Sequence, residues 1–422
     1  MSKEEKQLVP KLRFPEFYND VSWKEKFLND LSPSIFDGTH QTPKYTQNGI
    51  PFFSVENIVS GSDNKFISRE DYLYETRNNK PEYGDILVTR IGSIGIPKVV
   101  DWKYEFSVYV TLAVIKKSAK FDSNFLAFYI ESNRFQQEIK RRSLLNAAPQ
   151  KINMNELRSC EVLLPPKKEE QQKIANCLSS LDEVINAETE KLRLLQDHKK
   201  GLLQQLFPQE GETQPKYRFP EFKGDGDWEM PLFSKYIKLY RGSSPRPINL
   251  FLTDDENGVN WIKIGDTKNA INYKLYEVEQ KISVEGSKKS RKVRKGELIL
   301  ANSMSYGATY ELQIDGCIYD GWFVLREYED GFDKQFLIQL LNSDNLQRQY
   351  KRLAAGGIVQ NISSEIVYNT IIPKSSKEEQ QKIAICLSSV DNLIEAQSQK
   401  IEDLQKHKEG LLQQLFPSVN EL

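Results

Sequence analysis

From Ile174 onward, apolar residues return in alternating steps of four and three, at Leu178, Leu181, Ile185, Leu192, Leu195, Leu202 and Leu206, while Glu188 and Lys199 occupy two positions of the same stripe. A second stretch repeats the pattern with Ile383, Leu387, Val390, Ile394, Ile401, Leu404, Leu411 and Leu415, and here Gln397 and Lys408 take the polar slots. A 3.5-residue period kept up for about five heptads predicts a coiled-coil seam, because an ordinary amphipathic helix on a globular core drifts toward a 3.6 period and a wider apolar stripe. Pro165, Pro166, Pro208, Pro373 and Pro417 punctuate the ends, where a missing N–H does least harm. Gly201 and Gly410 lie inside the pattern and each lowers helix stability by about 1 kcal/mol.

The two stretches are copies. Lys168 to Pro208 matches Lys377 to Pro417 at 28 of 41 positions with a constant offset of 209. A second repeat agrees: Pro10 to Phe17 (PKLRFPEF) returns as Pro215 to Phe222 (PKYRFPEF), followed at equal distance by Trp23 and Trp228. The stretches between hardly resemble each other, yet short strand-like runs follow in the same order. Gly49-Ile-Pro-Phe-Phe-Ser-Val stands beside Gly258-Val-Asn-Trp-Ile-Lys-Ile, and Gly84-Asp-Ile-Leu-Val-Thr-Arg beside Gly296-Glu-Leu-Ile-Leu-Ala-Asn. Helix candidates follow at Asn124 to Arg142 and Lys334 to Leu353. The predicted class is α+β, with two mixed α/β domains in a pseudo-two-fold arrangement separated by two long antiparallel coiled-coil helices. The expected segments are 1–20, a first domain 21–166, a long helix 167–208, a linker 209–227, a second domain 228–374, a second long helix 375–417 and a tail 418–422.

Polar residues on the seam also predict a register. Antiparallel pairing that sets Glu188 against Lys408 and Lys199 against Gln397 also matches Leu181 with Leu415, Ile185 with Leu411, Leu192 with Leu404, Leu195 with Ile401 and Leu202 with Ile394. Parallel pairing by repeat equivalence would face Lys199 with Lys408, which is repulsive.

At 422 residues and a formal net charge of -1, the chain is large enough for two cores and too evenly charged for a histone-like basic protein. No apolar run is long enough to span a bilayer and no charged-then-apolar leader opens the chain, so a cytoplasmic protein is expected. Cys160, Cys177, Cys317 and Cys386 are scattered without a Cys-x-x-Cys pair, against a disulfide framework or structural zinc. There is no Asn/Asp-Pro-Pro-Tyr methylase motif, no glycine-rich cofactor loop and no phosphate-loop lysine. His198 and His407 are repeat equivalents on the helix flanks. Binding is therefore the expected role.

Charge and polar loops point to nucleic acid. Lys288, Lys289, Arg291, Lys292, Arg294 and Lys295 crowd eight positions before a strand of the second domain, the kind of cluster that neutralises phosphates and releases counterions. Arg241, Ser243, Arg246, Lys263, Lys268, Asn302 and Tyr306 are further candidates there. In the first domain the loop of Thr39, His40, Gln41 and Lys44 can donate and accept along base edges, and Arg69, Arg77, Lys80, Arg90, Lys98 and Lys103 supply dispersed charge. Lys140, Arg141 and Arg142 close a helix candidate, where cations favour the helix dipole without any ligand.

Asp37-Gly-Thr-His-Gln-Thr-Pro-Lys-Tyr, Arg241-Gly-Ser-Ser-Pro, the paired Gly-Asp/Glu-Ile/Leu strands, Gly356-Gly-Ile-Val-Gln-Asn-Ile-Ser and the Pro-x-x-x-Lys-Glu-Glu-Gln-Gln-Lys-Ile helix starts together resemble the specificity subunit of type I restriction-modification systems. The first domain departs from this at one turn, with Ala147-Ala-Pro-Gln-Lys-Ile-Asn in place of the glycine-rich form, which leaves the equivalence of that turn open. The resemblance implies two target recognition domains, each reading half of a split site in double-stranded DNA. It also implies two modification subunits that carry S-adenosylmethionine and methylate adenine, and two restriction subunits that use ATP and magnesium. This chain would bind no cofactor or metal and catalyse nothing itself. A symmetric coiled-coil scaffold that binds only proteins is the alternative.

Overall fold

The computed structural model describes residues 8–61, 65–303, 307–354 and 361–417. The chain forms two compact units, one built from the residues up to Ala187 together with those from Ile401 on, the other from Glu188–Lys400. Each unit thus contains one mixed α/β domain together with parts of both long helices.

In the first unit, an antiparallel sheet runs in the order Ile35–Asp37, Leu112–Ile115, Ile86–Thr89, Pro97–Val99. A three-stranded sheet, Lys65–Ile67, Ile50–Phe53, Ser107–Val108, lies beside it. Alternation explains why the central strands are buried at every position: side chains on opposite faces enter two different cores. Ile86, Val88, Ala113 and Ile115 join Phe125 and Tyr129 of the helix Ser123–Glu131 and Ile174 and Leu178 of the first long helix. Leu87, Leu112 and Val114 join Phe53, Phe106 and Val108 on the other side.

The second unit repeats this plan with additional edge strands. Its first sheet is Lys238–Arg241, Trp322–Arg326, Leu298–Ala301, Thr309–Leu312, Lys274–Leu275. The other is Leu252–Thr253, Gln280–Ile282, Val259–Ile262, Gly316–Ile318, Arg291–Val293. Leu298, Leu300, Phe323 and Leu325 face the helix Lys334–Leu341 and the second long helix through Phe336, Ile383 and Leu387, whereas Ile299, Ala301 and Val324 face Ile262 and Ile318.

The repeated residues make the same clamps in both units. Arg13 of the first RFPEF segment forms a two-pronged ion pair with Glu170 at 2.8 Å, both groups buried. Arg218 does the same with Glu379 at 2.8 Å. Next along each helix, Gln171 accepts the N–H of Asp122 and Gln380 that of Asp333, and these aspartates cap the domain helices at Phe125 and Phe336. Each RFPEF segment also meets a long-helix C-terminus: the Leu12 N–H donates to Gln414 O at 2.9 Å, and Tyr217 N–H to Gln205 O at 2.9 Å. Phe416 packs on Trp23 and Phe125, and Phe207 on Phe336.

The long helices run Lys168–Leu206 and Lys377–Leu415, 39 residues each. Leu181, Ile185, Leu192, Leu195, Ile394, Ile401, Leu404 and Leu411 are buried or half-buried, and the residues between are mostly exposed. The helices pair antiparallel, but in a register displaced by about one heptad from the predicted one. Glu188 does not meet Lys408. Its carboxylate accepts from Gln397 at 2.7 Å and from Lys400 at 2.5 Å. Lys199 does not meet Gln397 but pairs with Asp391 at 2.6 Å, and Lys408 pairs with Asp182 at 2.8 Å and Glu131 at 3.3 Å. Every seam charge therefore turns toward an opposite or hydrogen-bonding group at the edge of the seam, so no charge is left against the apolar positions that the displaced register brings up to it.

Candidate nucleic-acid interface

In each unit the strand that heads the sheet packed against the long helices, Ile35–Asp37 or Lys238–Arg241, is followed by a glycine held against a neighbouring backbone. A Cβ on Gly38 would lie 1.9 Å from Val108 O, and one on Gly242 would lie 2.0 Å from Tyr319 O, so no larger residue fits without moving a strand. Just beyond them, Thr39 N–H donates to Val108 O at 3.1 Å and Ser243 N–H to Ile318 O at 3.1 Å. The two polar loops of unlike sequence thus leave equivalent points beside Tyr109 and Tyr319.

Because Ile35–Asp37 and Ile86–Thr89 both run antiparallel to Leu112–Ile115, their C-terminal ends lie at the same end of the sheet. Arg90, the residue after the second of these strands, donates to Asp37 at 2.8 Å, Val110 O at 3.0 Å and Ile152 O at 3.3 Å. Burial pulls its pKa down and Asp37 pulls it up. Its guanidinium, 8% exposed, braces the loop from behind and is not free to reach a ligand. Asn302, its equivalent, is likewise buried and donates to Asp320 O at 2.9 Å. These two were predicted to face DNA; both instead hold the loops in place, because the strand delivers its last side chain into the junction between the two sheets.

The turn left open by the sequence is resolved by the same residues. Ile152 N–H donates to Arg90 O at 2.9 Å and Ile362 N–H to Asn302 O at 2.8 Å. Lys151-Ile152-Asn153 is therefore the counterpart of Asn361-Ile362-Ser363 despite the difference in sequence. Tyr306 and residues 356–360 lie outside the described residues.

Of the first-domain candidates, His40 contacts Asp37 at 3.0 Å, Thr39 bonds within the loop to Gln41, Thr42 reaches the Tyr109 hydroxyl at 3.2 Å, and Gln41 and Lys44 are exposed. Arg69 and Lys80 sit elsewhere, both paired with Glu105, whose carboxyl Arg69 and then Lys80 hold below the usual range. Lys98 lies 3.9 Å from Asp101, Arg77 covers Tyr74 and Lys103 covers Tyr83. Much of the dispersed charge is thus already compensated.

The second-domain candidates converge. Asp320 binds Arg246 at 3.2 Å and the Ser244 N–H at 3.2 Å, and its backbone oxygen accepts from Arg241 at 3.3 Å. Ser290 donates to Ser243 O at 2.5 Å and Arg291 to Arg241 O at 3.1 Å, which joins this loop to the basic run. Lys288, Lys289 and Lys292 are exposed, Lys288 paired with Glu285 at 2.7 Å and Lys289 over the Phe251 ring. Lys263 lines the same groove as Arg246, Trp261, Gln280, Tyr319 and Asp320. Lys268 is turned away to Glu279. Sequence reasoning missed Tyr109, Tyr319, Asp320 and Gln280; the parallel order Val108-Tyr109 and Ile318-Tyr319 after matched strands was the available signal.

No three-residue His/Cys/Asp/Glu group fit for a metal occurs among the described residues, and none of their helices is long and apolar enough to cross a membrane. The family model of the type I restriction modification DNA specificity domain matches residues 20–196 and again 243–406, well over half of the chain. The MjaVIII type I restriction enzyme specificity subunit of Methanocaldococcus jannaschii is 24% identical over 420 residues, covering 96% of this chain and 93% of its own. The crystal structure of a type I restriction-modification S subunit from M. genitalium superposes with a TM-score of 0.58 at 16% identity, covering 98% of this chain and 100% of that one. A chain from a study of complex assembly and conformational transition in the type I system gives 0.59 at 16% identity, covering 94% and 98%.

Proposed function

Because the chain belongs to the type I restriction modification DNA specificity family, we propose that it reads double-stranded DNA at a bipartite site, one half through each recognition domain. The carrying observation is the pair of equivalent loop ends. Gly38 and Gly242 launch loops of unlike sequence from the same point of a repeated scaffold, the arrangement expected where a fixed frame presents two different readers. Loop ends of this kind place side chains on base edges, while basic residues such as Lys288, Lys289 and Lys292 contact phosphate. Lys44 in the first loop and Arg246 in the second are exposed cations, Arg246 paired with Asp320.

In this reading the long helices set the distance between half-sites and dock two modification subunits, with two restriction subunits completing the assembly. The chain itself binds no cofactor and catalyses no reaction; S-adenosylmethionine belongs to the modification subunits, ATP and magnesium to the restriction subunits. Methylome sequencing of a host carrying the chain with its modification subunits tests the reading. A split methylated motif is expected, and exchange of residues 21–165 for those of a relative should alter one half only. Absence of salt-dependent binding to duplex DNA would instead favour a purely protein-binding scaffold.

A further inference from the structure

Beside the second-domain loop lies an open groove of about 800 Å³. Its floor is the buried Trp261 ring, with Tyr319 edge-on at 6.5 Å between centroids. Ile248 and Leu252 form an apolar wall, and Gln280 and Arg246 stand at the rim.

The repeat shows what such a place accommodates. Trp261 pairs across the sheet with Gln280 in the same register in which Phe52 pairs with Lys65, and Tyr319 corresponds to Tyr109, whose ring is 6.0 Å from Phe52. In the first domain this position is filled from within: the Tyr45 ring lies 6.1 Å from Phe52, and the Lys65 ammonium sits 5.2 Å above it. One planar ring, backed by aromatics and capped by a polar side chain, is therefore the occupant that this framework already holds. In the second domain Ile248, an aliphatic side chain, packs against Trp261, and a groove remains open outside it.

We propose that the groove receives one nucleobase turned out of the DNA stack, its ring against Tyr319, which the buried Trp261 backs edge-on from within, and its edge toward Gln280. This rests on the DNA-reading function proposed above. An amide can satisfy adenine through its N6 and N7 positions, the Tyr319 ring replaces part of the stacking that the base gives up, and Lys263 and Arg246, the latter paired with Asp320 at 3.2 Å, are the cations of the lining. Extrusion of a base into a closely fitting pocket is open to any protein that can offset the lost stacking and pairing.

The test uses the full chain assembled with its modification subunits and duplexes carrying 2-aminopurine at each position of the second half-site in turn. Fluorescence should rise on binding at one position other than the methylated adenine. Ile248→Tyr, which furnishes the groove with its own ring, should abolish that rise, leave any signal at the methylated adenine, and weaken specific binding about tenfold. Gln280→Ala, at an exposed position, should keep the rise and weaken binding by a similar factor. Tight binding with brightening at the methylated adenine alone, or a rise that survives Ile248→Tyr, overturns the groove and leaves DNA reading intact. If Ile248→Tyr loosens subunit assembly without touching the fluorescence, the groove holds a protein side chain and the proposal falls. Failure to bind any duplex removes both this inference and the function beneath it.

Discussion

Glu188 and Gln397 are the same position of the repeat, and they touch: the Gln397 amide donates to the Glu188 carboxylate at 2.7 Å and to its backbone oxygen at 3.0 Å. In an antiparallel pair of copied helices a residue meets its own counterpart only at the centre of the pairing. The two counterparts are unlike and complementary, an acceptor facing a donor.

Cysteines placed at Glu188 and Gln397 should crosslink within one chain on mild oxidation, in a background with Cys177→Ser and Cys386→Ser. Cysteines at Leu192 and Leu404, opposite each other in the register read from the sequence, should not. Mass spectrometry of the oxidised chain distinguishes the two registers.

Matched insertions of one heptad in both helices, after Glu188 and after Gln397, keep the pairing and lengthen each helix by about 10 Å. The gap between methylated half-sites should grow by about three base pairs, at roughly 3.4 Å per pair, with both half-sequences unchanged. A gap indifferent to the insertion would falsify the helices as spacer.

Arg13→Ala leaves Glu170 charged and buried without its two-pronged partner, and should destabilise the first unit by about 3–5 kcal/mol. Hydrogen exchange should show the loss spread over residues packed around Trp23 and Phe416. Arg218→Ala should do the same in the second unit.

Burial raises the pKa of the Glu131 carboxyl, against the opposing pull of Lys408. A raised folded-state pKa means that the folded chain holds this proton more tightly than the unfolded one, so its contribution is greatest at low pH and is lost as pH rises through the folded value. The melting temperature of the natural chain relative to Glu131→Gln should therefore be more favourable at pH 5 than at pH 8.

Salt dependence separates the free cations from the compensated ones. Lys44→Ala and Lys292→Ala, both at exposed positions, should each lower the slope of log affinity against log salt by about one. Arg69→Ala should leave it nearly unchanged, because Glu105 already balances that charge. Fluorescence anisotropy with a duplex containing the site measures all three.

The sequence carried the helices, their seam and the order of matched strands because each is written in a short period or in direct repetition. It did not carry the register. Counting only seam positions, Glu188 appeared to need Lys408, but long side chains leave the seam sideways, and the partners actually used, Lys400, Asp391 and Asp182, lie on its edges. The same limit applied to the loops. Arg90 and Asn302 looked like exposed polar ends of strands, and only the two-sheet packing reveals that both point inward. Tyr109 and Tyr319 were unremarked because their importance comes from the crossing beneath Gly38 and Gly242, a contact between distant segments that no local pattern records.

The hydrogen bond from Leu12 to Gln414 and the one from Tyr217 to Gln205 are one joint made twice, once between segments far apart in the chain and once across a covalent linker. Packing at this joint is indifferent to which peptide bond happens to be missing. The chain order is accordingly a cyclic order: a permutant opened between Pro208 and Gln214, and closed from Pro417 to Pro10 by a linker like the one it lost, retains every contact of both joints and should fold to the same two units with the roles of first and second domain exchanged along the chain.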